Sequence, residues 1–176
     1  MAKKINPTQK AWLIGLHLIF VAAWVGSSFV LLMLSLLSLY SGSQTVLLAV
    51  PSIMHAIDLL VIIPGTIGII VTGVVLSLLT HWGIKKYYWV IVKEISTLFL
   101  AALGGVWLAP LVLRAVELSS NQGVSALTDP EYLLIHKKIL LTSGIIIPLL
   151  LGMIFISKLK PWGKVKRKEK PAAAKA

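Results

Sequence analysis

The sequence predicts an all-α membrane protein, an up-and-down bundle of four transmembrane helices with both termini cytoplasmic. Three observations carry this expectation. Hydrophobic residues make up 57% of the 176 positions and charged residues 13%, with a mean hydropathy of +0.91. A chain this short cannot bury so much apolar surface in water. Four stretches, 11–40, 53–79, 88–113 and 132–157, are each long enough to cross a hydrocarbon layer about 30 Å thick, which takes roughly 20 helical residues. Finally, apart from Arg114, Lys137 and Lys138, every one of the 17 Lys and Arg residues falls on one side of such a bundle, and an excess of basic residues marks the cytoplasmic side.

The first span follows "MAKKINPTQK", which resembles the basic start of a secretory signal. The apolar run behind it is far longer than a signal core of 7–15 residues and no A-x-A site follows, so the segment reads as a retained helix. Along it His17, Trp24, Ser28 and Ser35 recur at intervals that place them on one inward stripe, polar where lipid would penalise it.

The second span opens on "IMHAIDLLVIIPG", with His55 and Asp58 on one helical face. Further along, Gly65, Gly68 and Gly73 offer a surface for close helix approach, as do Ala101, Ala102, Gly104 and Gly105 in the third span. Pro64, Pro110 and Pro148 are expected to kink or end helices. His81, beside Trp82, reads as interfacial. The third span carries Lys93 and Glu94 near its start and Arg114 near its end, and the fourth begins near His136, Lys137 and Lys138.

Residues 1–157 thus form one transmembrane domain, and 158–176 a disordered basic tail attracted to anionic headgroups. That placement accounts for the net charge of +11 without nucleic acid, at about 1 kcal/mol per Lys or Arg near an anionic surface. With no cysteine, iron–sulfur ligation and disulfides are excluded.

Parallel diagonal helices put His55 and His136 near the same end of the bundle. Diagonal axes on the order of 13 Å apart, for neighbours packed at 8–10 Å, leave room for a flat macrocycle with an axial imidazole from each side. In this reading Arg114, Lys137 and Lys138 serve the haem propionates, and Asp58 fixes an imidazole tautomer or accepts a quinol proton. The plainer alternative has both histidines bonding headgroups or water, with Asp58 paired to Lys137 or Arg114. At the other end His17, Lys93 and Glu94 form a second polar layer. His17 and Glu94, with His81, would suit a transition metal better than calcium.

"LHLIFVAAWVGSSF", "PGTIGIIVTGVVL" and "YYWVIVKEIST" together resemble a group of small bacterial membrane proteins. The group comprises membrane protoporphyrinogen oxidases, copper-resistance-D-like proteins and an uncharacterised family of predicted integral membrane proteins, which looks the nearest. The resemblance implies a b-type haem or porphyrin associated with His17, Trp89 and Lys93. Two departures limit it to that general chemistry: "SSFVLLMLS" replaces the family's aromatic-leucine-proline-arginine stretch, and Val90 or Ile91 stands where W-x-x-x-K normally holds a histidine.

The function expected is that of a multi-pass cytochrome-b-like protein of the bacterial plasma membrane. It would carry haem b, one and room for a second, with His17, His55 and His136 as candidate iron ligands and Asp58 and Glu94 beside them. Its partners would be a quinone, a redox protein and, for a glycine-rich bundle, a second copy of the chain. A porphyrin-handling oxidase, a proton- or metal-coupled transporter and a non-catalytic accessory subunit are the competing readings.

Overall fold

The computed structural model describes residues 5–41 and 43–165. Along the chain run α1 (Pro7–Tyr40), α2 (Gln44–Ile57), a π turn (Asp58–Ile62), α3 (Ile63–Leu79), α4 (Tyr88–Ala102), a second π turn (Leu103–Leu108), α5 (Ala109–Gln122), a 3-10 turn (Gly123–Thr128) and α6 (Pro130–Leu159). They make four spans long and apolar enough to cross a membrane: α1, α2 with α3, α4 with α5, and α6. Each packs on its neighbour in sequence, and α6 closes the ring against α1. The all-α four-helix bundle is therefore the fold.

Caps set the ends of the outer spans. Asn6 accepts from the Gln9 N–H at 2.7 Å while the Gln9 side chain accepts from the Asn6 N–H, with Pro7 in the first turn. Asp129 caps α6 by accepting from the Glu131 N–H at 2.7 Å. Hydrogen bonds from Gln122 and from that N–H hold the Asp129 carboxyl below the usual carboxylate range.

Two stretches expected as loops are helical. The second span begins at Gln44 rather than near 53, and the third continues as helix to Gln122, where Gly123 at φ +57° ends α5. The first difference turns on Pro51 inside α2. Its missing N–H orphans the carbonyl of Leu47 one turn earlier, and the Tyr132 hydroxyl of α6 donates to that carbonyl at 3.0 Å. A tertiary hydrogen bond thus replaces the one that proline deletes. Tyr132→Phe is expected to destabilise the bundle by about 1–3 kcal/mol, the penalty for leaving a buried acceptor unpaired, in a mixed-micelle denaturation series; no change would mean that the Leu47 carbonyl has another partner.

Pro64 and Pro110 do not break their spans. Each stands two residues past a π turn, whose backbone hydrogen bonds, Ile63 N–H to Asp58 and Ala109 N–H to Gly104, skip five residues. The widened turn gives the proline ring clearance from the preceding carbonyls.

The core runs the length of the bundle through Trp24, Leu31, Val50, Met54, Leu100, Leu118, Tyr132 and Ile139. Chain beyond 157 was expected to be loose. Instead α6 runs to Leu159, Lys160 caps it at φ 48°, and the segment folds back: the Val165 N–H donates to the Lys86 carbonyl at 3.0 Å and the Tyr88 N–H to Gly163 at 3.4 Å. The rest of the expected tail, residues 166–176, lies outside the described residues.

Candidate ligand site at the basic end

A cavity of about 250 Å³ opens in the half of the bundle that carries the Lys-rich turns. His17, Trp24, Trp89, Lys93 and Glu94 all line it, so the polar layer expected from the sequence is one site. Each ionisable group is fixed by a hydroxyl from another span. The His17 Nδ1 and Thr72 Oγ lie 2.7 Å apart, and the Thr72 hydroxyl hydrogen goes to the Gly68 carbonyl in its own helix. A hydroxyl has one hydrogen, so Nδ1–H is the donor to Thr72. Nε2 then carries the lone pair, and it has no hydrogen-bond partner among the described residues.

Lys93 and Glu94 are sequence neighbours held apart. Lys93 Nζ donates to Ser157 of α6 at 3.1 Å, and Ser77 of α3 donates to the Glu94 carboxylate at 3.3 Å. No ion pair joins them among the described residues, so an ammonium and a carboxyl both border the cavity with neutral partners. Gly73 sits between His17 and Glu94: a Cβ there would lie 3.6 Å from His17 Cε1 and 3.7 Å from Glu94 Oε1. Any larger side chain would reach into this corner.

The basic end of the cavity is walled by aromatic rings under cations. Trp82 meets Trp89 edge-on at 5.6 Å. Lys160 lies over both rings at 5.5 and 5.8 Å, and Lys10 over Trp82 at 5.1 Å, within cation–π range. Leu18 and Ile154 also line the cavity while remaining 58% and 43% exposed. The cavity is thus bordered by exposed apolar side chains of α1 and α6.

The structure treats the far-end candidates differently. It does not bring His55 and His136 together through any hydrogen bond or ring contact among the described residues. The diagonal spans touch directly through Tyr132 and Leu47, and Val50 and Met54 are fully buried in that layer. His136 is buried, its Nδ1 3.3 Å from Ser38 of α1 and its ring against Tyr132, with no partner for Nε2 among the described residues. His55 is half-buried. Arg114 is taken up by two carboxylates, bidentate to Glu131 at 2.8 and 3.0 Å and bonded to Glu117 at 2.8 Å. That exposed cluster ties the third span to the fourth. Lys137 is exposed and Lys138 lies 6.0 Å over the Trp107 ring. Asp58 forms no ion pair among the described residues, so neither Lys137 nor Arg114 is its partner. His81 is exposed beside Trp82, as an interfacial residue should be.

Thr72, Ser77, Ser157 and Lys160 were missed in the sequence. The first two are the polar interruptions of an apolar run that glycine spacing dominates, and that was their available signal. Among the described residues no group of three or more His, Asp and Glu side chains is arranged to hold a metal ion by itself. No family model, no curated protein and no solved structure matches the chain.

Proposed function

We propose that the protein is a haem b-binding, cytochrome-b-like membrane protein, in which the basic-end cavity would hold the haem and His17 would be the residue that ligates its iron. The observation that carries this reading is the His17 ring, oriented through Nδ1–H by Thr72 and left with a free Nε2 lone pair beside a cavity walled by flat aromatic side chains. A histidine whose second nitrogen is fixed by a hydrogen bond is the usual arrangement of a metal-ligating imidazole. The unpaired nitrogen suits a metal ligand, and Lys93 and Lys160, which line the same cavity, would supply cations for the carboxylates of a macrocycle. Bound there, haem supplies one-electron redox chemistry.

The chain's own residues do the rest. Thr72 holds the imidazole tautomer, and Trp24, Trp82 and Trp89 keep bulk water from the ring faces. Glu94, held by Ser77, is positioned to accept a proton from a lipid-soluble quinol that arrives between Leu18 and Ile154. By the distribution of basic residues the cavity end faces the cytoplasm of a bacterial plasma membrane, and the lysines around it engage anionic headgroups.

The test is a reduced-minus-oxidised absorption spectrum of the detergent-purified protein from cells supplied with haem. A sharp band is expected that disappears in His17→Ala and persists in His55→Ala and His136→Ala. Thr72→Val is expected to weaken haem retention about 10–100-fold while leaving the fold intact. A colourless wild-type protein, or a band that survives His17→Ala, overturns the reading.

A further inference from the structure

Nearer the middle of the bundle a smaller void, about 30 Å³, is lined by Trp24, Ser28, Asp58, Gly104 and Ser143, with apolar neighbours. We propose that it is a hydrated proton-binding site, in which Asp58 exchanges a proton with one or two waters held between Asp58, Ser28 and Ser143.

Four features point to this. The Ser143 hydroxyl is buried, in a residue 4% exposed, and has no hydrogen-bond partner among the described residues. Buried polar groups of this kind are ordinarily satisfied by ordered water, which needs at least about 10–15 Å³ of free space for each molecule; the void has that room. Second, Ser28 spends its hydrogen on the Trp24 carbonyl at 2.9 Å, so its oxygen faces the void only as an acceptor. A water donating to Ser28 and to Asp58 while accepting from Ser143 would satisfy all three. Third, Asp58 has neither an ion-pair partner nor a side-chain hydrogen bond among the described residues, although it lies inside a span, where an ionisable group without structural partners marks a proton or ion pathway. Fourth, the two π turns among the described residues, Asp58–Ile62 and Leu103–Leu108, both border the void through Asp58, Ile62, Gly104 and Leu108, and π turns concentrate at functional positions.

The occupant is a proton rather than a metal ion because of the donor set. One carboxylate and two hydroxyls fall short of the six to eight oxygens a hard divalent cation such as calcium takes, whereas a proton neutralises a single carboxylate with no further ligand. Among the described residues the spans packed against Asp58 present no other titratable side chain to the void; His55 stands one turn earlier in its own helix. Asp58 takes up a solvent proton relayed by the void water, which gives one proton to the carboxylate as it accepts another, and releases it by the reverse exchange. Trp24 lines both the void and the larger cavity, so it is the partition between this site and the ligand site.

Infrared difference spectroscopy of the full chain in lipid nanodiscs tests the proposal, and it reads Asp58 whether or not the cavity is loaded. Stepping the pH is expected to produce a carboxylic C=O band that shifts on exchange into D2O and is missing in Asp58→Asn. In Ser143→Ala, which removes only a hydroxyl and spares the fold, the band is expected at higher frequency because a water-mediated hydrogen bond is lost. A difference spectrum identical in Asp58→Asn and wild type overturns the proposal. So does a band unmoved by D2O, one identical in Ser143→Ala, or one that follows sodium at constant pH, which would mark a sodium site.

Discussion

Trp24→Ala is expected to destabilise the bundle by about 3–5 kcal/mol, the range for truncating a large buried aromatic. Trp24 is 5% exposed and belongs to the continuous core. Its neighbours are fixed on rigid spans and cannot close over the space it leaves. The substitution also removes the wall between the 250 Å³ cavity and the 30 Å³ void, joining the environment of His17 to that of Asp58. Two readouts follow. Mixed-micelle denaturation should show the lost stability, and Trp24→Phe, which keeps most of the partition, should recover the larger part of it. In the same variant the infrared band proposed for Asp58 should shift, because the void that it borders opens into the larger cavity. A stability loss below about 1 kcal/mol would mean that the helices collapse into the gap, and that Trp24 does not separate the two spaces.

The two ends of the molecule were unequally legible in the sequence. The spans, their order and the inward stripe of α1 follow from hydropathy and helical spacing, because Trp24, Ser28 and Ser35 recur on one face and all three are buried. The meeting of His17, Lys93 and Glu94 was also legible, since residues of similar depth on different spans must converge somewhere in a closed bundle. What spacing could not give was the direction of each side chain. Glu94 admits three partners from its depth, Lys93, Lys86 and His17, of which His17 is the interesting one because the adjacent Lys93 and Glu94 point in different directions on a helix. The structure separates them because Ser157 and Ser77 stand on opposite neighbours of α4, a property of the ring and not of the third span.

The far end was less legible for a related reason. His55 and His136 lie at comparable distances from their helix starts, but helix starts were misplaced: a proline and a run of small polar residues read as a loop where α2 already runs from Gln44. The compensating Tyr132 hydroxyl is 85 residues from Leu47 in sequence, and no local pattern announces such a partner. The same holds for Arg114. Seen alone it is an unpaired cation near a membrane boundary, whereas Glu117 one turn on and Glu131 across the loop neutralise it.

Gly68→Leu is expected to prevent the close approach of α3 to α1, and Gly68→Ala to destabilise the bundle by about 1–3 kcal/mol, the usual range for overpacking. An added Cβ at Gly68 would lie 2.5 Å from ring carbons of Phe20, the root of the ring included, so the aromatic side chain must leave its place or the helices must part. Glycine spacing alone does not predict this. Gly105, in the third span's small-residue run, has nothing within 4 Å of the place an added Cβ would take, and Gly105→Ala should cost nothing. The pair separates a glycine required by packing from one that is merely small. Phe20→Ala supplies the second arm, because it clears the space a Gly68 methyl needs. The double variant Phe20→Ala/Gly68→Ala should be more stable than the sum of the single losses implies, by a coupling of about 0.5–3 kcal/mol for residues in contact. Strict additivity would show that Gly68 does not meet Phe20. Since Thr72 follows Gly68 by one turn and donates to its carbonyl, parting α3 from α1 also moves the hydroxyl that orients His17. On the proposed haem reading, Gly68→Leu should therefore remove the haem band together with the stability, whereas Gly105→Ala leaves both unchanged.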